Sequence, residues 1–208
     1  ICDKYLKSCE DKGLETVFPD EPDDVVSHEI HEEQPVGTSI FNLGYKCRPC
    51  SGMERLKKSM TAEVASSMLS DASTEMYQEL LEKGIINSSF DTEIFTGDGY
   101  FSVIFSGESD SPEVIRDTLV KEIENWKNNG IDEELFQRVK KTIYGIMIRQ
   151  LNNVEAVANL MINSHMDGVS PYDAIKVLSE MKSSDVLEFA VSELRSDRLV
   201  LSVIEGVS

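Results

Sequence analysis

The chain has 208 residues, 40% of them hydrophobic, enough to bury a sizeable core as one large domain or two small ones. Its 38 acidic side chains against 20 basic ones leave a net charge of −18, which repels nucleic acid and anionic lipid and argues against both as partners. No apolar run approaches the roughly 18 residues that a membrane-crossing helix needs.

From the N-terminus, Ile1, Tyr5, Leu6 and Cys9 fall at helical spacing, with Gly13 as a stop. The segment reads as the tail of a helix that begins upstream. Residues 18–24 (FPDEPDD) form a Pro- and Asp-rich connector. The first 35 residues hold 11 acidic side chains and 3 lysines, a solubilising surface that also suits basic substrates. Residues 1–24 are therefore expected to be a helix end and acidic linker, and residues 25–208 a single domain.

Two strands are expected at 25–32 and 38–46. In the second, Ile40, Leu43 and Tyr45 mix with Phe41 without strict alternation, as in a strand covered on both faces. Leu56, Met60, Val64 and Met68 recur every four residues and predict an amphipathic helix over 53–69. A shorter helix over 74–83 ends at Gly84. Strands at 90–95 and 100–105 meet at Gly97-Asp98-Gly99, a hairpin signal. Beyond Ser109 the pattern is helical. Ser111-Pro112 opens one helix, and Asp132 opens the next, with Leu135, Val139, Ile143 and Met147 on its stripe. A third spans 154–165. Ser170-Pro171 starts a fourth, with Asp173 placed to reach back as a cap, and Ser183 or Ser184 starts a fifth. A strand over 198–204 closes the chain. The order β-β-α-α-β-β-α-α-α-α-α-β predicts an α+β fold, a mainly antiparallel sheet covered by helices.

Candidate chemistry is sparse. Cysteines occur at 2, 9, 47 and 50, too few for a disulfide scaffold and in keeping with a reduced, cytoplasmic protein. Cys47-Arg48-Pro49-Cys50 is a CxxC that can serve as a redox pair or half of a zinc knuckle. Ser51 could cap a helix beside it, but Cys2 and Cys9 are spaced wrongly for a second ligand pair, and two ordinary loop cysteines remain the simpler reading. The run His28-Glu29-Ile30-His31-Glu32 matches neither HExxH nor the inverted HxxEH, because its histidines are three apart. In a strand they would point to opposite faces. His165, among Met161, Ile162 and Met166, reads as a core or partly covered histidine. No phosphate loop and no GxSxG elbow is present. The residues alone thus supply no active site.

From about Gly37 onward the chain resembles the C-terminal half of the pitrilysin/insulinase family of zinc metallopeptidases, to which the mitochondrial processing peptidases also belong, and in particular its small bacterial YmfH-type members. The resemblance rests on IFNLGYKC, SSMLSDASTEMYQELLEKGII, FDTEIFTGDGYFSVIFSGES, GIDEELFQRVKKTIYG, RQLNNVEAVANLMINSHMDG and SSDVLEFAVSEL, in order over about 170 residues. It implies a LuxS/processing-peptidase-like metallohydrolase domain that is non-catalytic. The zinc would then lie in an N-terminal domain of the parent protein, with no cofactor in this chain. Such a domain walls the substrate chamber, so the implied partners are a peptide or protein substrate, the N-terminal domain and a homologous partner subunit. Many members contribute an Arg and a Tyr here, in the pattern Arg-x-x-x-Gly-Leu-x-Tyr, to steady the tetrahedral intermediate. Aligned on Gly84, this chain has Leu80 and Asn87 instead, neither able to take that role. The competing readings are a binding or assembly domain without catalysis and a metal or redox module on Cys47 and Cys50. The aromatic-rich hairpin (Phe90, Phe95, Tyr100, Phe101, Phe105) offers either an edge strand for an extended peptide or plain core packing.

Overall fold

The computed structural model describes residues 2–5, 13, 17 and 22–206. Of the N-terminal helix, only α1 (Cys2–Tyr5) falls among them; its continuation to residue 12 and residues 18–21 of the connector lie outside the described residues. The remaining elements are β1 (Glu29–Gln34), β2 (Ile40–Cys47), α2 (Gly52–Leu69), α3 (Glu75–Glu82), β3 (Asp91–Gly97) and β4 (Tyr100–Glu108). Then come α4 (Pro112–Asn129), α5 (Glu133–Gln150), α6 (Val154–Met166), α7 (Asp173–Glu180), α8 (Ser183–Ser192) and β5 (Leu199–Gly206). Their order is the expected one.

The five strands form one sheet in the order β1-β5-β2-β4-β3. Three pairings are antiparallel, and β1 joins β5 in parallel. Among the described residues, the helices after β2 pack on one face. Phe41, Leu43, Tyr45 and Cys47 are buried there, as are Phe101, Val103 and Phe105 of β4 and Leu199, Leu201 and Val203 of β5. This corrects the two-sided reading of β2: Ile40, at 37% exposure, lies on the other face with Asn42. Phe41 belongs to the buried register, and Ile40 hid a strict alternation.

The helices dock through the stripes read from the sequence. Met60, Val64 and Met68 of α2, and Leu135, Val139 and Ile143 of α5, are buried. Asp132 caps α5 by accepting hydrogen bonds from the backbone N–H groups of Glu134 and Leu135 at 2.8 and 3.1 Å. Asp173 reaches back to the N–H of Ser170 at 2.8 Å. Ser111 precedes Pro112 but makes no side-chain cap bond. Gly99 turns the hairpin with φ +85, a left-handed value that costs glycine little. Among the described residues, no helix is long and apolar enough to cross a membrane.

Two further expectations shift. β1 starts at Glu29 rather than at residue 25, since only 29–34 find ladder partners on β5. His165 is exposed, because α6 turns Met161, Ile162 and Met166 to the surface and packs through Leu160 and Val157 near Met147 and Ile175 instead.

Candidate functional site: the open face of the sheet

The face of the sheet away from the helices carries a groove of about 780 Å³. Its floor is made by outward-pointing residues of three central strands: Gly44 and Lys46 of β2, Ser102 and Ile104 of β4, and Val200 of β5. Small side chains at Gly44 and Ser102 keep the floor low. Residues 22–30 border it on one side, with Val26 and Ile30 exposed. The β3–β4 turn borders the other. Here Tyr100 lies 4.9 Å from Phe95, centroid to centroid, and both rings are exposed. Tyr100 also covers Gly97 so closely that a Cβ there would stand 2.5 Å from its ring.

Charge at the groove differs from the rest of the surface. Lys46, Arg48 and Arg198 line it, in a chain whose net charge is −18. Arg198 is only 6% exposed and donates to Asp23 at 2.7 Å. Arg48 lies 3.8 Å from the same carboxylate, and Lys46 donates to the Pro22 carbonyl at 2.9 Å. The end of the acidic connector is thus held against the groove by ion pairs and a main-chain contact.

The CxxC sits beside this groove, but its chemistry is muted. Cys47 ends β2 with its thiol inside the core, and burial pushes that thiol's pKa up to about 12. Burial also raises Cys50, which is half-covered just before α2. A reactive dithiol needs the opposite shift, because the thiolate is the attacking species. Iodoacetamide at pH 8 is therefore expected to leave Cys47 unmodified in the folded chain and to alkylate it after denaturation. Peptide mapping by mass spectrometry reads this directly, and fast native alkylation of Cys47 would contradict the burial argument.

The histidines are not brought together. His28 precedes β1 and contacts the Leu199 carbonyl through Nδ1 at 3.0 Å. His31 stands on β1 between Glu29 and Glu205, and His165 lies on α6. Among the described residues, the group of side chains close enough to hold a metal ion contains one histidine, His31, with Glu29 and Glu113. A catalytic zinc of the two-histidine kind therefore does not fit the described residues. Leu80 is buried at 4% exposure inside the core. Asn87 is exposed, but its amide is engaged: it donates to Glu108 at 3.2 Å and accepts from the N–H of Ser89 at 2.7 Å. Sequence reasoning missed the groove itself. Its trace in the sequence is the outward series Tyr100, Ser102, Ile104 and Ser106 of β4, where apolar and small residues alternate.

Comparison with known proteins bears on this arrangement. The family model of the peptidase M16 inactive domain matches residues 1–143. Among curated proteins, the chain is 25% identical over 153 residues to the uncharacterized zinc protease YmfH of Bacillus subtilis (strain 168), covering 72% of this chain and 35% of that protein. Among solved structures, a protein described as an M16-like peptidase from Alicyclobacillus acidocaldarius superposes with a TM-score of 0.91 at 20% identity, over 99% of this chain and 50% of that one. A peptidase M16 inactive domain from Pseudomonas fluorescens gives 0.68 at 12% identity, over 95% and 47%. The chain thus spans about half the length of these structures and about a third of the curated relative.

Proposed function

The chain belongs to the peptidase M16 family as its inactive domain, and from that premise we propose that it is the non-catalytic C-terminal part of a zinc-dependent peptidase, its open sheet face forming a wall of the substrate chamber. The observation that carries this reading is the groove of about 780 Å³ on the sheet face away from the packed helices, lined among the described residues by strands and loops. A floor of Gly44, Ser102 and Ile104 accepts an extended main chain, while Tyr100, backed by Phe95, offers apolar contact at its rim. Lys46 and Arg48 supply positive charge for substrate carbonyls or carboxylates. In this reading zinc belongs to an N-terminal domain of the same protein, and residues 1–24 are the helix end and linker leading from it to the domain at 25–208. A reducing, cytoplasmic setting agrees with the free thiols of Cys47 and Cys50.

Leu80 and Asn87 leave the chain without the donors that steady a tetrahedral oxyanion in its relatives. The reading therefore includes a homologous partner subunit that supplies them. The test uses full-length protein and a quenched peptide substrate. Ile104→Arg in the groove floor is expected to raise KM about tenfold and leave kcat within about twofold, the signature of lost ground-state binding. The 208-residue chain alone is expected to cleave nothing. An unchanged KM would remove the chamber-wall role, and robust cleavage by full-length protein as a pure monomer or homodimer would remove the partner subunit.

A further inference from the structure

Away from the groove, four side chains from three elements converge at the β1 edge of the sheet. Glu29 and His31 are two residues apart on β1 and so share a face. His31 Nε2 lies 2.8 Å from Glu29 Oε1, and its Nδ1 lies 2.6 Å from Glu205 Oε1 on β5. Glu113 enters from the first turn of α4, and the ligand atoms of Glu29, His31 and Glu113 all lie within 4.8 Å of one another. The second oxygen of Glu29 is held by Arg116 Nη1 at 2.8 Å.

We infer that Glu29, His31 and Glu113 form a site for a divalent transition-metal ion of the Zn²⁺ class, with Glu205 and Arg116 as its outer partners. A neutral imidazole has one N–H, yet both nitrogens of His31 face carboxylate oxygens at hydrogen-bond distance. One of these contacts lacks a proton. Either a second proton or a metal ion completes it, and Glu113 provides the further oxygen that a proton does not require. One imidazole nitrogen with two carboxylate oxygens is a donor set that suits zinc. Zn–N and Zn–O bonds of about 2.0–2.2 Å place tetrahedral donors roughly 3.4 Å apart, within reach of small side-chain rotations from the observed spread. The outer contacts also match the role. A carboxylate on the far nitrogen is what orients metal-bound histidines, and Arg116 occupies only Glu29 Oε2, leaving Oε1 to the ion. The site would tie β1, which joins the sheet through a parallel ladder to β5 alone, to helix α4. This role is separate from the chamber wall, and neither depends on the other.

The test is zinc titration of the 208-residue chain against a chromophoric chelator. The wild-type chain is expected to bind one zinc, and His31→Ala or Glu113→Ala to weaken it at least about tenfold, with Glu205→Gln losing a comparable factor through the misplaced imidazole. The Cys47→Ser/Cys50→Ser variant is expected to bind as the wild type does. No uptake at free zinc up to about 100 μM, uptake indifferent to His31→Ala, or uptake lost with the two cysteines would each overturn the assignment. In the first case, a second proton on His31 fills the contact.

Discussion

Phe105→Ala is expected to cost about 3–5 kcal/mol and to lower the melting temperature by roughly 10 °C. Phe105 is fully buried at the middle of β4, where its ring meets Tyr45 edge-on at 6.5 Å and stacks on Phe90 at 6.3 Å. Phe90 in turn stacks on Phe41 at 6.4 Å and lies 6.2 Å from Tyr77 of α3. The ring therefore ties two sheet strands to the α3–β3 connection. Its removal loses both transfer free energy and the contacts lining the hole, since the neighbouring strands are pinned by their ladders and collapse little. A loss of this size is a large fraction of the 5–15 kcal/mol that holds a typical domain folded. Urea unfolding checks it, with Phe95→Ala as the comparison. Phe95 is 52% exposed on the open face, and its truncation is expected to cost less than about 1 kcal/mol. Equal costs for the two would refute the assignment of these rings to opposite faces.

Glu193→Ala is expected to cost about 2–4 kcal/mol, because it strands a covered lysine. Lys58 and Glu193 pair at 2.7 Å with each side chain only 12% exposed. The same carboxylate accepts from the N–H of Arg48 at 3.0 Å, while Lys58 donates to the Arg48 carbonyl at 2.7 Å and sits 4.9 Å over the ring of Phe101. One carboxylate therefore holds α2, the segment after α8 and the loop between Cys47 and Cys50 together. Without it, the Lys58 ammonium keeps the Arg48 carbonyl but loses its counter-charge, and the Arg48 amide loses its acceptor, both away from bulk water. The double variant Lys58→Met/Glu193→Leu removes both charges at once and is expected to recover most of the loss. A double-mutant cycle in urea measures the coupling. A coupling near zero would mean that solvent already screens the pair.

The lack of a zinc-helix motif among the histidines is legible without the fold. No pairing of His28, His31 and His165 has zinc-helix spacing, and Leu80 carries no donor, so chemistry and family resemblance pointed the same way. The site that the structure offers instead was not legible. Gly44, Ser102 and Ile104 come from two strands about 60 residues apart in sequence, and nothing local marks them as neighbours. Lys46, Arg48 and Arg198 look like scattered charges until the strand order brings β5 beside β2. The grouping of His31 with Glu113 and Glu205 was hidden for the same reason. Read locally, the run from His28 to Glu32 could only be tested against helical zinc motifs.

What the sequence by itself determined was the succession of elements, because each depends on signals within a few residues. These are the four-residue stripe of α2, the cap at Asp132, the Gly97-Asp98-Gly99 turn and the reach of Asp173 back to Ser170. Only the tertiary structure decided which faces those elements present. It paired β1 with β5 in parallel, set Phe41 inward and Ile40 outward, sank Cys47 into the core and left His165 on the surface. The physical reason is that burial and hydrogen-bond partnership are relations between distant segments, satisfied for the whole sheet at once. A one-residue change of register in β2 alone would exchange its two faces.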